Sequence, residues 1–328
     1  MKKASAIAPS NIALTKYWGK DPSTPSEWRI PENGSISMIT DNLLTHTTVE
    51  FDDSLTADRI ILNGESNPEE VRRIIQHLDR IRGHANSSLH AHVESKNNFP
   101  TATGLSSSAS GFAALTVAGC LAAGLSFSEK EYSILARRGS GSACRSIPSG
   151  FVLWHGGKTN ESSFAETIFP ADYWAIADVV AVVSSNRKEI ATTEGMKTAA
   201  VNPFFPVRLS HMERTNRDMQ SILKNKDFTA FGELLEQEAL ELHALMMTSG
   251  LLYLQPGTLE IMRHVKYHWR PEGLAVYFTV NTGQDIHLFC QDHDVPLLVQ
   301  KLQQIDCVKD IIINHAGEGT RETQDHLF

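Results

Sequence analysis

The chain has little cysteine, no long apolar run and no excess of positive charge. Four cysteines, at 120, 144, 290 and 307, form no Cys-x-x-Cys pair among 328 residues. They are too few for a disulfide framework, and their spacing does not suit structural zinc, so a reducing, cytoplasmic compartment is expected. The histidines form no His-Glu-x-x-His pattern, and no metal-ligating residues are assigned. His77, His84, His90 and His92 read as structural or surface residues. Thirty basic against 38 acidic residues leave a net charge of −8, which speaks against nucleic acid as a partner. Behind Lys2 and Lys3 there is no apolar stretch of signal-peptide length, so no export is expected. Phe112 to Phe127 is the strongest membrane candidate, but as a helix it spans roughly 24 Å against ~30 Å of hydrocarbon. It reads instead as a buried helix whose alanines and glycines allow close packing, and no membrane partner is expected. Gly-x-x-x-x-Gly-Lys-Ser/Thr is missing, as is a Gly-x-Gly-x-x-Gly following a strand, which excludes the commonest nucleotide motifs.

What is present is a soluble globular composition, 41% hydrophobic and 21% charged, in 36.3 kDa. That size favours two domains over one. Strands are expected near 35–41, 45–51 and 88–94, with a fully buried one at Val179 to Val183. Pro68 after Ser66-Asn67, followed by Val71, Ile74, Ile75, Leu78 and Ile81, predicts a capped amphipathic helix. Helical periodicity then runs from Pro206 to about Leu245 and again after Pro256, before strands at 274–279, 286–290 and 308–313. The class is α+β, divided into residues 1–185 and 186–328 at the polar, basic segment Ser184 to Lys188.

Four segments carry chemistry. Asn98 to Gly111, with Gly104, Ser106, Ser107 and Ser108, leads directly into an apolar helix. Small residues admit an anion close to the backbone, hydroxyls donate to it, and the helix N-terminus favours negative charge. A nucleotide phosphate is the expected ligand. Asn11 to Lys20 offers Lys16, Tyr17 and Lys20. Arg137 to Ser146 sets arginines and hydroxyls among small residues, and Ser184 to Met196 repeats that chemistry. Taken singly, each also reads as a solvated face or a turn. Together, in an acidic chain, they suit one pocket for two anionic ligands.

Lys16-Tyr17-Trp18-Gly19-Lys20, Pro100 to Ala109 and Gly139-Ser140-Gly141-Ser142-Ala143-Cys144-Arg145-Ser146 closely resemble segments of mevalonate diphosphate decarboxylases, of the GHMP kinase superfamily. The resemblance extends through Gly34 to Asp41, Thr192 to Met196 and Tyr277 to Gly283. It implies an N-terminal domain like ribosomal protein S5 domain 2, a ferredoxin-like C-terminal domain and a homodimer. The implied reaction phosphorylates the 3-hydroxyl of mevalonate 5-diphosphate or 5-phosphate with ATP and Mg2+. Loss of phosphate and carbon dioxide then leaves an isopentenyl product. By the same resemblance Gly104, Ser106, Ser107 and Ser108 hold ATP. Asn11, Tyr17, Lys20, Ser140, Gly141, Ser142, Arg145 and Thr192 hold substrate, and Asn281, Arg145 and Lys20 occupy catalytic positions. Cys144 is implied to be a packing residue.

Asn281 departs from the family, which carries aspartate there. An amide keeps the shape and hydrogen-bonds, but has no basic site near neutral pH. Three readings follow: a chain altered to trap substrate, a natural variant that uses another group, or a chain with a related, weak or absent activity. A kinase that does not decarboxylate and a silent binding protein are the alternatives. Asp285, four residues on, is not expected to substitute. Thr193 and Glu194 stand where some bacterial relatives place an arginine, which tilts the expectation toward the monophosphate.

Overall fold

The computed structural model describes residues 3–99, 105–184, 190 and 192–328. One sheet is built from β1 (Lys3–Ala13), β2 (Ser35–Asp52), β3 (Arg59–Leu62), β4 (His90–Asn97), β5 (Phe151–Trp154) and β6 (Ala165–Phe169). A strand from the far end of the chain, Arg321–Thr323, pairs with β1 at its edge. The second sheet contains β7 (Ile176–Val182), β8 (Val276–Thr279), β9 (Ile286–Gln291) and β10 (Asp310–Asn314), in the order β10-β7-β9-β8. The Arg321–Thr323 strand is β11.

The expected strands at 35–41 and 45–51 are one continuous strand, β2. Its first part pairs with β5 and its second with β4, while β1 runs antiparallel along most of its length. The β1–β2 register shifts between Pro9 and Asn11, where proline removes a ladder donor. Every residue of β7 is buried, including Asp178, which pairs with His287; the buried strand expected at Val179 to Val183 overlaps its C-terminal half. The division expected at 185/186 falls among residues 185–189, outside the described residues. β7 precedes that point yet lies between β9 and β10 in the second sheet, and β11 follows it yet joins the first.

α1 (Pro68–Ala85) begins where the sequence placed it, with the Asn67 side chain accepting the N–H groups of Glu69 and Glu70. α2 is Ser107–Ala122 rather than Phe112 to Phe127. It starts at the serine cluster and stops before Gly124, whose φ of +77° turns the chain. α3 (Glu129–Gly139) follows a Ser128/Glu131 capping box. Ala4, Ala6 and Ala8 of β1 share a core with α1, α2 and α3; their small side chains admit α2 close to the sheet.

A short helix, α4 (Thr192–Gly195), precedes the long α5 (Phe205–Asn225) and α6 (Phe228–Thr248). These join the sheets through a core in which Ile12, Leu14, Ile36 and Phe151 meet Ile176, Phe231, Tyr277 and Phe289. α7 (Pro256–His264) and α8 (Val295–Leu302) cover the other face of the second sheet. The end of β1, the start of α2 and the β8–β9 loop thereby converge.

Candidate active site

Residues 13–20 leave β1 and are held by the second half of the chain. Thr15 Oγ1 donates to Asn216 Oδ1 at 2.5 Å and accepts the Ile36 N–H at 2.8 Å. The Lys16 N–H donates to Glu238 Oε2 at 2.8 Å, and the Lys16 carbonyl accepts from Arg208 Nη2 at 2.8 Å. Arg208 and Glu238 are themselves a buried pair, 3.0 Å apart. A fully desolvated ion pair thus fixes the main chain at one lysine. At Gly19 φ is +79°, and a Cβ would lie 2.7 Å from the Phe205 ring, so the turn into Lys20 requires glycine.

A cleft of about 1290 Å3, open to solvent, is lined by Tyr17, Lys20, Ser106, Ser107, Ser108, Ser140, Gly141, Ser142, Arg145, Thr192 and Asn281. Among the expected site residues, Asn11 is not part of this lining. It is buried one layer back, donating to Ser146 Oγ at 2.8 Å and to the Ser142 carbonyl at 3.4 Å, so it braces the Gly141–Ser146 turn. Gly104 lies outside the described residues, as do Arg187 and Lys188. Cys144 is buried, its thiol donates to the Gly141 carbonyl, and burial pushes its pKa up to about 12. It packs, and it is no thiolate at neutral pH.

Arg145 is 4% exposed and donates to Ser35 Oγ at 2.7 Å. Its guanidinium lies 5.3 Å from the Tyr17 ring centroid and 5.6 Å from that of Trp154. No carboxylate among the described residues pairs with it, which leaves donors for an anionic ligand. Ser106, at the N-terminal end of α2, has φ 57° and makes no side-chain cap; a helix start of this kind attracts phosphate.

Among the cations of the lining, Lys16 was singled out in the sequence without an assigned role, and Arg29 and Arg73 were not singled out. Arg73 of α1 donates weakly to the Gly139 carbonyl at 3.5 Å and stands 5.0 Å from the Phe112 ring. Arg29 donates to the Arg138 carbonyl at 3.1 Å. Burial, together with Arg29, Arg73 and Lys197, lowers the Lys20 pKa to about 8. Cations that depress one another in this way mark a site that an anion would relieve. Glu194, by contrast, is exposed and pairs with Lys197 at 2.6 Å, and it is not part of the cleft lining.

At the other end, Lys16 is buried and donates to the Ala13 carbonyl at 2.7 Å and to Asn281 Oδ1 at 3.1 Å. Burial is the largest cause of a pKa lowered to about 7. Asn281 Nδ2 faces Ser106 Oγ at 3.4 Å, and the Asn281 carbonyl accepts from His243 Nε2 at 2.9 Å. Burial lowers the pKa of that imidazole to about 4, so it is a neutral donor. Asp285 is buried and accepts the Val183 N–H at 3.1 Å, and it does not line the cleft.

A second recess adjoins the first and shares Glu70, Arg73, Ser107 and Ser108 with it. Leu62, Ile74, Val93, Phe112 and Leu115 give it apolar walls, and Asn63, Ser95 and Asn97 add polar groups. Among the described residues, no three His, Cys, Asp or Glu side chains form a metal-ligand cluster. None of the helices is long and apolar enough to cross a membrane, again among the described residues.

Comparison with known proteins places this geometry in a family. Residues 8–165 match the diphosphomevalonate decarboxylase-like N-terminal domain, and residues 178–325 match the mevalonate 5-diphosphate decarboxylase C-terminal domain. A diphosphomevalonate decarboxylase of Candida albicans is 32% identical, covering 100% of this chain and 99% of its own. A phosphomevalonate decarboxylase of Haloferax volcanii is 34% identical, covering 87% of each. The mevalonate diphosphate decarboxylase from Enterococcus faecalis superposes with a TM-score of 0.90 at 35% identity, covering 98% of this chain and 99% of that one. A structure described as MDDEF in complex with MVAPP, AMPPCP and magnesium gives 0.91 at 35% identity and the same coverage. The chain belongs to the diphosphomevalonate decarboxylase family.

Proposed function

We propose that this chain, an ATP-dependent decarboxylase of 5-phosphorylated mevalonate, takes the 5-diphosphate. The observation that carries the diphosphate is the convergence of Lys20, Arg29 and Arg73 at one end of the cleft, where no carboxylate pairs with them among the described residues. A monophosphate would leave part of that charge unmatched. The expectation of a less basic pocket rested on Thr193 and Glu194, and Glu194 spends its charge on Lys197 outside the cleft.

In this reading the triphosphate of ATP lies at the start of α2, against Ser106, Ser107 and Ser108, and the nucleoside enters the apolar recess beside Phe112. Hydroxyls with few carboxylates suit Mg2+ delivered on the ATP phosphates, since Mg2+ keeps waters and needs only one or two protein ligands. Bound there, Mg2+ would neutralise phosphate charge. Tyr17, Ser140, Gly141, Ser142 and Thr192 would hold the rest of the substrate, with Asn11 bracing the loop behind them. Arg145 would hold the substrate carboxylate, its orientation fixed by Ser35, Tyr17 and Trp154. Phosphorylation of the tertiary 3-hydroxyl creates a leaving group. Its departure draws the electrons of the adjacent C–C bond into the new double bond and releases carbon dioxide. The domain division in this reading lies near residue 170, as the pairing of β7 and the matched ranges 8–165 and 178–325 support. A cytoplasmic homodimer belongs to the same proposal.

The test supplies MgATP with mevalonate 5-diphosphate or 5-phosphate and follows ADP and carbon dioxide. Equal yields of both products are expected, with kcat/KM at least about tenfold higher for the diphosphate, a difference of roughly 1.4 kcal/mol. Preference for the monophosphate overturns the substrate assignment. ADP without carbon dioxide makes the chain a kinase.

A further inference from the structure

We propose that Lys16 is the proton acceptor for the substrate's 3-hydroxyl, its amine taking the place of the carboxylate that Asn281 lacks. The inference rests on the decarboxylase reading above and concerns how this chain performs its first step.

Hydrogen-bond accounting gives the first argument. A neutral amine has two N–H donors and one lone pair. Lys16 Nζ has two acceptors, the Ala13 carbonyl at 2.7 Å and Asn281 Oδ1 at 3.1 Å. Both donors are thereby used, and the lone pair is left on the cleft that Lys16 lines.

Charge gives the second. Among the described residues no carboxylate stands within ion-pair distance of Nζ. Glu238 exerts the largest charge effect on the amine, but it is committed to Arg208 and to the main-chain N–H of Lys16 itself. The other groups acting on the amine are Asp178, which favours its charge, and Arg145 and Arg208, which oppose it. The neutral His243 imidazole stands behind Asn281. Burial and the two arginines prevail, and the amine titrates at about 7. An aspartate at 281 would instead ion-pair with Lys16, keep it protonated and itself be the base. With asparagine the two partners exchange roles: the amide fixes the amine, and the amine accepts the proton.

The step balances. The 3-hydroxyl oxygen forms a bond to the γ-phosphorus of ATP as the bond to the β–γ bridging oxygen breaks, and ADP leaves with that electron pair. The hydroxyl proton passes to Lys16, which becomes an ammonium. When the 3-phosphate departs and the C–C bond releases carbon dioxide, the ammonium returns its proton to the phosphate, and Lys16 is neutral again.

The experiment measures pH profiles of ADP release for the native chain, Asn281→Asp and Lys16→Arg with MgATP and mevalonate 5-diphosphate. Carbon-13 NMR of ε-labelled lysine accompanies it, and binding of the diphosphate to each protein is measured separately. The native kcat/KM should fall tenfold per pH unit below about 7. Asn281→Asp should carry that limb toward the carboxylate range and raise the titration of one lysine ε-carbon, which identifies Lys16. Lys16→Arg should bind the diphosphate within a few-fold of native yet release ADP at least about 10²-fold more slowly, the usual span for a lost general base. If Lys16→Arg does not fold, the native profile and the NMR titration decide. A Lys16 resonance that titrates above pH 9, or a native profile flat from pH 6 to 8 while Asn281→Asp turns over, removes Lys16 as the base and leaves the decarboxylase reading standing. If no protein, Asn281→Asp included, releases ADP, the functional reading fails and this assignment falls with it.

Discussion

Lys16 and Lys20 stand four residues apart in one short segment and line the same cleft, yet their surroundings assign them different work. Lys16 is sealed behind a buried Arg208–Glu238 pair, with its amine held by a carbonyl and an amide. Lys20 is half-buried and looks toward Arg29 and Arg73. Burial is the main cause of the lowered pKa at both, to about 7 and about 8, so the contrast lies in their partners: a carbonyl and an amide at Lys16, other cations at Lys20. Side-chain type is therefore a poor guide to role in this site. The environment each main-chain position is delivered into decides between moving a proton and gripping an anion.

Substitutions can break or sharpen that contrast. The largest effect is expected at Arg145, which is placed to hold the substrate carboxylate and also opposes the charge of Lys16. Arg145→Met removes the buried guanidinium held by Ser35 and the Tyr17 and Trp154 rings. It should lower kcat/KM for carbon dioxide release by about 10²- to 10³-fold, as loss of one preorganised electrostatic group does. At the Lys20 end, Arg73→Met should raise KM for the diphosphate by about 10-fold or more with kcat nearly unchanged, the loss of one charge-assisted contact. With the monophosphate the change should be smaller, and steady-state kinetics on both substrates reads the difference.

The smallest effect is on stability and has the opposite sign. Folding lowers the Lys16 pKa from 10.5 to about 7, so the native state disfavours the charged form. The resulting penalty is absent above the unfolded value of 10.5, grows as pH falls and is constant below about 7. Lys16→Met removes that penalty and two hydrogen bonds. It should leave the inactive protein more stable by about 1–3 kcal/mol at pH 7, with the gain vanishing between roughly pH 8 and 9.5 and the two lost hydrogen bonds leaving the variant less stable near pH 10.5. Urea unfolding at the two pH values measures it.

Much of this site was legible before folding. The serine-rich approach to α2, the Gly141–Ser146 turn and the Tyr17–Lys20 segment all use small, hydroxylic and cationic residues whose local chemistry already suggests an anion. Arg29 and Arg73 were not legible. The apolar period of α1 identifies its core face and says nothing about a cleft beyond its polar face, and Arg29 lies in a stretch without periodicity. Lys16 was visible as a cation, but its low pKa comes from burial by residues 192 to 265 positions away. Among the elements, β1 was overlooked because alanine, serine, proline and asparagine are weak strand formers. Pairing with β2 and β11 overrides that preference. The Ser128/Glu131 box that starts α3 was readable and went unread.

The most direct measurement compares Lys16→Arg with Lys20→Arg, since arginine preserves charge and cannot deprotonate at these pH values. The account predicts that Lys20→Arg keeps kcat within a few-fold and alters chiefly KM, whereas Lys16→Arg loses about 10²-fold or more in kcat. Equal loss of kcat in the two proteins, or a Lys16→Arg enzyme as fast as the native chain, would contradict it.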